Sequence, residues 1–124
     1  MRRKALAIAE RLFAADPADA RAKFDLAVEL REMADGLVAE HDLTGAVQDF
    51  RRAIQILEEV AVADPTNKAR KSQLAEGLIS FSEPLDKTGH RDEARRVKAR
   101  AIAMQQHLTP VAALAAQGTE PIFP

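Results

Sequence analysis

Apolar side chains recur along this chain at i, i+3, i+4 and i+7, the spacing that lines one face of an α-helix. Phe24, Ala27, Leu30, Met33, Ala34 and Leu37 form one stripe. Leu43, Ala46, Val47, Phe50, Ala53, Ile54, Leu57 and Val60 form the next. Leu74, Leu78, Phe81 and Leu85, followed by Ala94, Val97, Ala101, Met104 and Leu108, repeat the arrangement. The pattern predicts helices over 3–15, 18–40, 43–63, 66–87 and 91–108, joined by short turns.

The turns are chemically legible. In Asp16-Pro17-Ala18-Asp19 a carboxylate can cap the next helix, and Pro17 suits a first helical position. Asp16 and Asp19 are both candidates, and Asp64-Pro65-Thr66-Asn67 offers the same choice. His41-Asp42 and Gly89-His90 are the turns within helix pairs, and Thr109-Pro110 ends the fifth helix. Residues 111–116 have room for a short extra turn, and residues 118–124 read as a loose tail. Pro84 falls inside the fourth helix, where it removes a hydrogen bond to the Ser80 carbonyl and is expected to kink or end the helix.

The two Asp-Pro pairs lie 48 residues apart. A shift of 48 aligns Ala5, Ile8 and Glu10 with Ala53, Ile56 and Glu58. It aligns Lys23, Leu26, Ala27 and Leu30 with Lys71, Leu74, Ala75 and Leu78, and Arg52-Ala53-Ile54 with Arg100-Ala101-Ile102. It also places Gly36 opposite Pro84, so both copies carry a poor helix former at one level. A fixed period of this length signals stacked supersecondary units. The expected organisation is a helical domain over 1–117, holding a half repeat at 2–15 and repeats at 18–63 and 66–108, then the tail at 118–124.

The first copy reads Leu30, Met33-Ala34 and Leu37, then Ala46, Phe50 and Ala53. The second reads Leu78, Phe81-Ser82 and Leu85, then Ala94, Lys98 and Ala101. This succession of large and small positions resembles the tetratricopeptide repeat (TPR) family over roughly residues 2–108. Small residues let antiparallel helices approach, and large ones fill the gaps around them. The family period is 34, and the longer period here corresponds to two added turns on each helix. Lys98 departs from the aromatic expected at its position and marks a terminal, solvent-facing repeat. The resemblance implies an all-α, right-handed α-solenoid of helix hairpins that binds proteins or peptides without catalysis. Long repeats with an Asp-Pro spacer are similar to those of bacterial multidomain signalling proteins, often behind a Ser/Thr kinase domain, although no kinase motif occurs in this chain. The alternative reading is therefore a C-terminal regulatory or oligomerisation segment of such a protein.

Composition narrows the chemistry. The chain has 124 residues, with 18 Lys+Arg against 19 Asp+Glu, so no whole-domain charge grips nucleic acid or an anionic membrane. There is no cysteine, which excludes disulfides, Cys-zinc sites and thiol catalysis. Aromatics are 4%, all Phe, too few to make a stacking platform for bases. No apolar run approaches the ~20 residues of a membrane span. Met1-Arg2-Arg3-Lys4 has the charged start of a signal peptide, but Glu10 and Arg11 interrupt the apolar stretch. A cytoplasmic protein without cofactor is expected. His41, His90 and His107 form no ligand cluster, and no phosphate-cradling loop or nucleophile elbow occurs. Arg91, Arg95, Arg96, Lys98 and Arg100 make the fifth helix basic; Asp92 and Glu93 dilute that charge, so no nucleic acid is expected.

The resemblance places a groove on the first helix of each pair, at Val28, Arg31, Asp35 and Val38, then Glu76, Ile79, Glu83 and Asp86. The family's clamp for a C-terminal carboxylate is matched in part by Arg31 and not by Asp35, Ile79 or Glu83. The four carboxylates point to a ligand with basic and apolar residues. Helix 1 aligns with the second helix of a repeat and lacks its first-helix partner. Leu6, Ile8 and Phe13 are thus expected to form an uncovered apolar edge. That edge would serve a homodimer, or an upstream part of a longer polypeptide.

Overall fold

The computed structural model describes residues 2–108, and side-chain burial for residues 3–106. The expectations for residues 109–124 lie outside the described residues. Five helices follow one another: α1 (Arg2–Ala15), α2 (Ala20–Ala39), α3 (Leu43–Ala63), α4 (Lys68–Lys87) and α5 (Arg91–Leu108). No strand occurs among the described residues, and no described helix is long and apolar enough to cross a membrane. Each helix packs on its neighbour in sequence, and α2 also touches α4. That pattern is consistent with an array of helical hairpins.

α2 and α4 begin two residues later than the periodicity predicts. The caps are the second candidates in each turn. Asp19 accepts from the N–H groups of Arg21 (2.9 Å) and Ala22 (3.3 Å), and Asn67 accepts from that of Arg70 (3.1 Å). Pro17 therefore lies in the turn rather than at a first helical position. Asp16 instead accepts from the Ala18 N–H within that turn.

The ends of α2 and α4 share one device at the same register. His41 has φ 66° and Gly89 has φ 90°. In each, the following N–H reaches back to a leucine carbonyl, Asp42 to Leu37 and His90 to Leu85, both at 2.8 Å. This is a left-handed helix C-cap, a place where glycine carries no steric penalty. His41→Gly is expected to raise unfolding free energy by about 1 kcal/mol, and Gly89→Ala to lower it by a similar amount. Nothing lies within 4 Å of a Cβ built at Gly89, so that loss would come from the backbone alone. Urea midpoints followed by circular dichroism check both; equal midpoints would remove the argument.

α4 does not end at Pro84. It runs on to Lys87, and the Thr88 hydroxyl and N–H both donate to the Pro84 carbonyl, at 2.7 and 3.1 Å. The ring is wholly buried. Burial of the ring and the bonds of the following turn hold the helix through the missing donor.

The main core gathers Ala27, Ala34, Ala46, Phe50, Leu57, Leu78 and Leu85, with Phe50 and Phe81 rings 5.8 Å apart. A second cluster, Ala9, Leu26, Leu30 and Ala53, ties α1 to α2 and α3. Lys98 is exposed where Phe50, its counterpart, is fully buried. The 48-residue register extends to side-chain contacts. Arg52 holds Glu10 through two bonds of 2.8 Å, and Arg100 holds Glu58 in the corresponding place.

Candidate binding groove

Of the eight expected groove residues, Val28 lines one hollow, Glu83 and Asp86 line another, and Arg31 pairs with Glu76. Val28 lines a hollow of about 450 Å³ between α1, α2 and α4, with Ala5, Ile8, Leu12, Phe24 and Gln73. Ile8 is 45% and Leu12 58% exposed. The hollow therefore joins a residue expected at the edge, Ile8, to one expected in the groove, Val28. Leu6 and Phe13 turn the other way. They pack half-buried against the cluster of Leu26, Leu30 and Ala53. Helix geometry explains the division: Ile8 and Leu12 are four apart on one face, while Leu6, Ala9 and Phe13 share another.

Sequence reasoning missed Leu12, Phe24 and Gln73. Leu12 carried a signal in its spacing from Ile8. Phe24 was read as part of the α2 core stripe, and it is only half-buried. Gln73 had no signal. Its Oε1 is buried at the hollow without a hydrogen-bond partner among the described residues.

The remaining groove positions are largely engaged within the chain. Arg31 reaches across from α2 to Glu76 of α4 at 3.7 Å, with its side chain only 16% exposed. Val38 packs half-buried against the main core, Asp35 is exposed, and Ile79 is 38% exposed. Glu83 pairs with Lys87 (3.3 Å) and Asp86 with Arg91 (3.9 Å), beside a second hollow that Ser82, Arg95 and Lys98 also line. Glu76, Glu83 and Asp86 thus each have a cation within 4 Å. The acidic groove expected from sequence is neutralised by Arg31, Lys87 and Arg91, so its carboxylates no longer argue for a basic ligand. Apolar surface remains at Ile8, Leu12, Phe24 and Val28, around a hollow that Asp25 and Glu29 also line.

Three of the five basic positions of α5 are likewise paired. Besides Arg91, Arg95 meets Asp92 and Arg100 meets Glu58. His41 and His90 are exposed in their turns, and the His107 side chain lies outside the described residues. No group of three metal-ligating side chains comes together among the described residues.

Two ion pairs that bridge helices set the acid response. The Arg52 guanidinium, by hydrogen bonding, holds Glu10 below the usual glutamate value, and Arg51 does the same to Glu93 at 2.5 and 2.7 Å. A carboxylate with a lowered folded value contributes stability above about pH 4.5 and loses it as the pH falls through that lowered value. Asp49 acts in the opposite sense, because burial pushes its carboxyl up despite nearby Arg52. Its charge costs the folded state at neutral pH, and that cost is relieved on protonation. The thermal midpoint is expected to fall as the pH is taken below about 4.5. Combining Glu10→Gln with Glu93→Gln should flatten this acid limb, and Asp49→Asn should steepen it. Melting curves from pH 7 to pH 3 check the order, and an unchanged limb in the double variant would refute it.

Comparison with protein-family models, with curated proteins and with solved structures returned no match.

Proposed function

We propose that this chain is a non-catalytic binding module, an adaptor or scaffold of TPR type, that takes an apolar protein or peptide segment into the hollow between α1, α2 and α4. The observation that carries the reading is the apolar surface of Ile8, Leu12, Phe24 and Val28 gathered around one hollow, with Ile8 and Leu12 exposed. A bound segment would cover the apolar side chains. Exposed apolar patches of this kind mark interaction sites. The reading goes with a cytoplasmic location. The second reading, a regulatory or oligomerisation segment of a larger bacterial protein, is favoured by the same exposure of Ile8 and Leu12, since a second copy could cover them.

The test is selection of peptides from a random library on the whole chain, followed by titration. Apolar sequences should be enriched. Their affinity should drop at least about tenfold in Leu12→Asp and Val28→Asp, while Ile102→Asp on α5 leaves it unchanged. Equal loss in all three variants, or no enriched peptide, would overturn the peptide reading. Light scattering on the same sample separates the second reading, which requires a species at twice 13.6 kDa. Concentration is followed by refractive index, since the chain has no Trp or Tyr.

A further inference from the structure

The stripe Ala5, Ala9 and Leu12 on α1 recurs 48 residues later as Ala53, Leu57 and Val60 on α3. The two stripes have opposite surroundings. Ala53 and Leu57 have no exposed surface and Val60 is 2% exposed, whereas Leu12 is 58% exposed. The helix before α3 accounts for the difference. α2 packs along α3; its Leu26 and Leu30 share a cluster with Ala53, and its Ala27 and Ala34 share one with Leu57. Among the described residues, no helix takes the place against α1 that α2 takes against α3. The hollow of about 450 Å³ lies there, with Ala5, Ala9 and Leu12 as one wall and α2 as another.

The α2 wall also changes between copies. Asp25, Glu29 and Glu32 of α2 correspond to Gln73, Gly77 and Ser80 of α4. Gly77 faces the stem of Arg31, since a Cβ built there would lie 3.6 Å from the Arg31 Cδ. Where α4 presents a glycine to that arginine, α2 presents the Glu29 carboxylate to the hollow. Asp25 adds a second carboxylate and meets Arg21 of its own helix at 3.4 Å. A helix built like α2 and seated on α1 would bring a cation at Arg31's place against Glu29. These acids are distinct from Glu76, Glu83 and Asp86, which cations of the chain already neutralise.

The described helices of a second copy do not fit this place. The stripe of α2 is covered by α3, and α4 carries Ser72, Glu76 and Asp86 where α2 has Phe24, Val28 and Val38, so its outward face is polar. We infer that the hollow takes an amphipathic α-helix of another protein, with a leucine–alanine stripe laid on α1 and a basic residue against Glu29. Its direction follows from α2 and α3, which pack together across a three-residue turn and are therefore antiparallel. The incoming helix runs antiparallel to α1 and starts beside Leu12. This inference rests on the binding reading proposed for the same hollow, and adds the shape, direction and charge of the segment.

The probe is a synthetic peptide of residues 16–40, the α2 sequence itself, titrated into the full chain labelled at backbone nitrogen. Amide shifts should move in residues 5–12 and 25–32, and the peptide should gain helix on binding. A spin label at the peptide's N-terminus should broaden residues 12–15 more than residues 3–5. Leu12→Asp, at an exposed position that folding tolerates, should weaken binding at least about tenfold, and Ile102→Asp should leave it unchanged. Glu29→Lys should weaken it about threefold, and Arg31→Glu in the peptide should restore it. Broadening in the reverse order, or a peptide with Leu30→Pro that binds as tightly as its parent, would overturn the inference. If this peptide fails while library-selected peptides bind at Leu12 without helix, the inference falls and the binding reading stands. If the library is empty as well, both fall. A species at twice 13.6 kDa that Leu12→Asp dissociates would give the hollow to a second copy, and would equally overturn the inference.

Discussion

Phe50→Ala is expected to lower the unfolding free energy by about 3–5 kcal/mol, while Lys98→Ala, 48 residues later, changes it by less than about 0.5. The two positions are equivalent by register and opposite by environment. Phe50 has no exposed surface, sits among Ala27, Ala34, Leu57 and Leu78, and has the Phe81 ring 5.8 Å away. Arg51 stands 5.4 Å over the Phe81 ring, so loss of Phe50 also loosens the ring that this cation faces. Lys98 is exposed on α5. Small domains are stable by about 5–15 kcal/mol, so the Phe50 variant should be close to unfolded at moderate temperature. Urea titration followed by far-ultraviolet circular dichroism measures both. A loss below about 1 kcal/mol at Phe50 would mean that the core relaxes around the gap and that α2, α3 and α4 do not meet as described.

Most of the architecture was legible because helix signals here are redundant. Each stripe has four or more apolar positions at helical spacing, and each appears twice. The core positions Leu30, Ala34, Ala46, Phe50, Ala53, Leu78, Leu85 and Ala101 were all readable as the buried face. Where reading stopped short, the cause was local. Asp16 and Asp19 are chemically equal as caps, and only backbone direction in the turn selects Asp19. Pro84 was expected to kink or end α4 because its lost hydrogen bond is visible in sequence, whereas the burial of its ring and the Thr88 bonds that accompany the helix's run to Lys87 are not.

The binding surface was less legible, for a different reason. A register transfers positions, but not which neighbour neutralises a charge. Arg31 and Glu76 were both placed in the groove, yet their separation of 45 residues concealed that they face each other across α2 and α4. The edge was read as Leu6, Ile8 and Phe13, although Leu6 and Phe13 lie on the face that meets Leu26.

Ala53→Leu is the second change with a large expected effect, a loss of about 1–3 kcal/mol. Ala53 has no exposed surface and lies in the cluster that joins α1 to the rest, among Ala9, Leu26 and Leu30, with Leu6, Phe13 and Ile56 around it. A longer side chain there has no space to enter, so the helices must separate. The weaker attachment should give way. α1 packs chiefly on α2 and reaches α3 only through the side chains of this cluster and the pair of Glu10 with Arg52, the residue next to the substitution. α3 and α4, by contrast, are held on several sides by the main core. Amide hydrogen exchange is therefore expected to accelerate first in residues 6–13, with residues 74–85 keeping their protection, while Ala103→Leu on the exposed side of α5 changes neither. If both segments lose protection together, α1 is an integral part of one cooperative unit. Its exposed Ile8 and Leu12 would then border a rigid wall of the hollow, and a ligand covering them would bind without first ordering the helix.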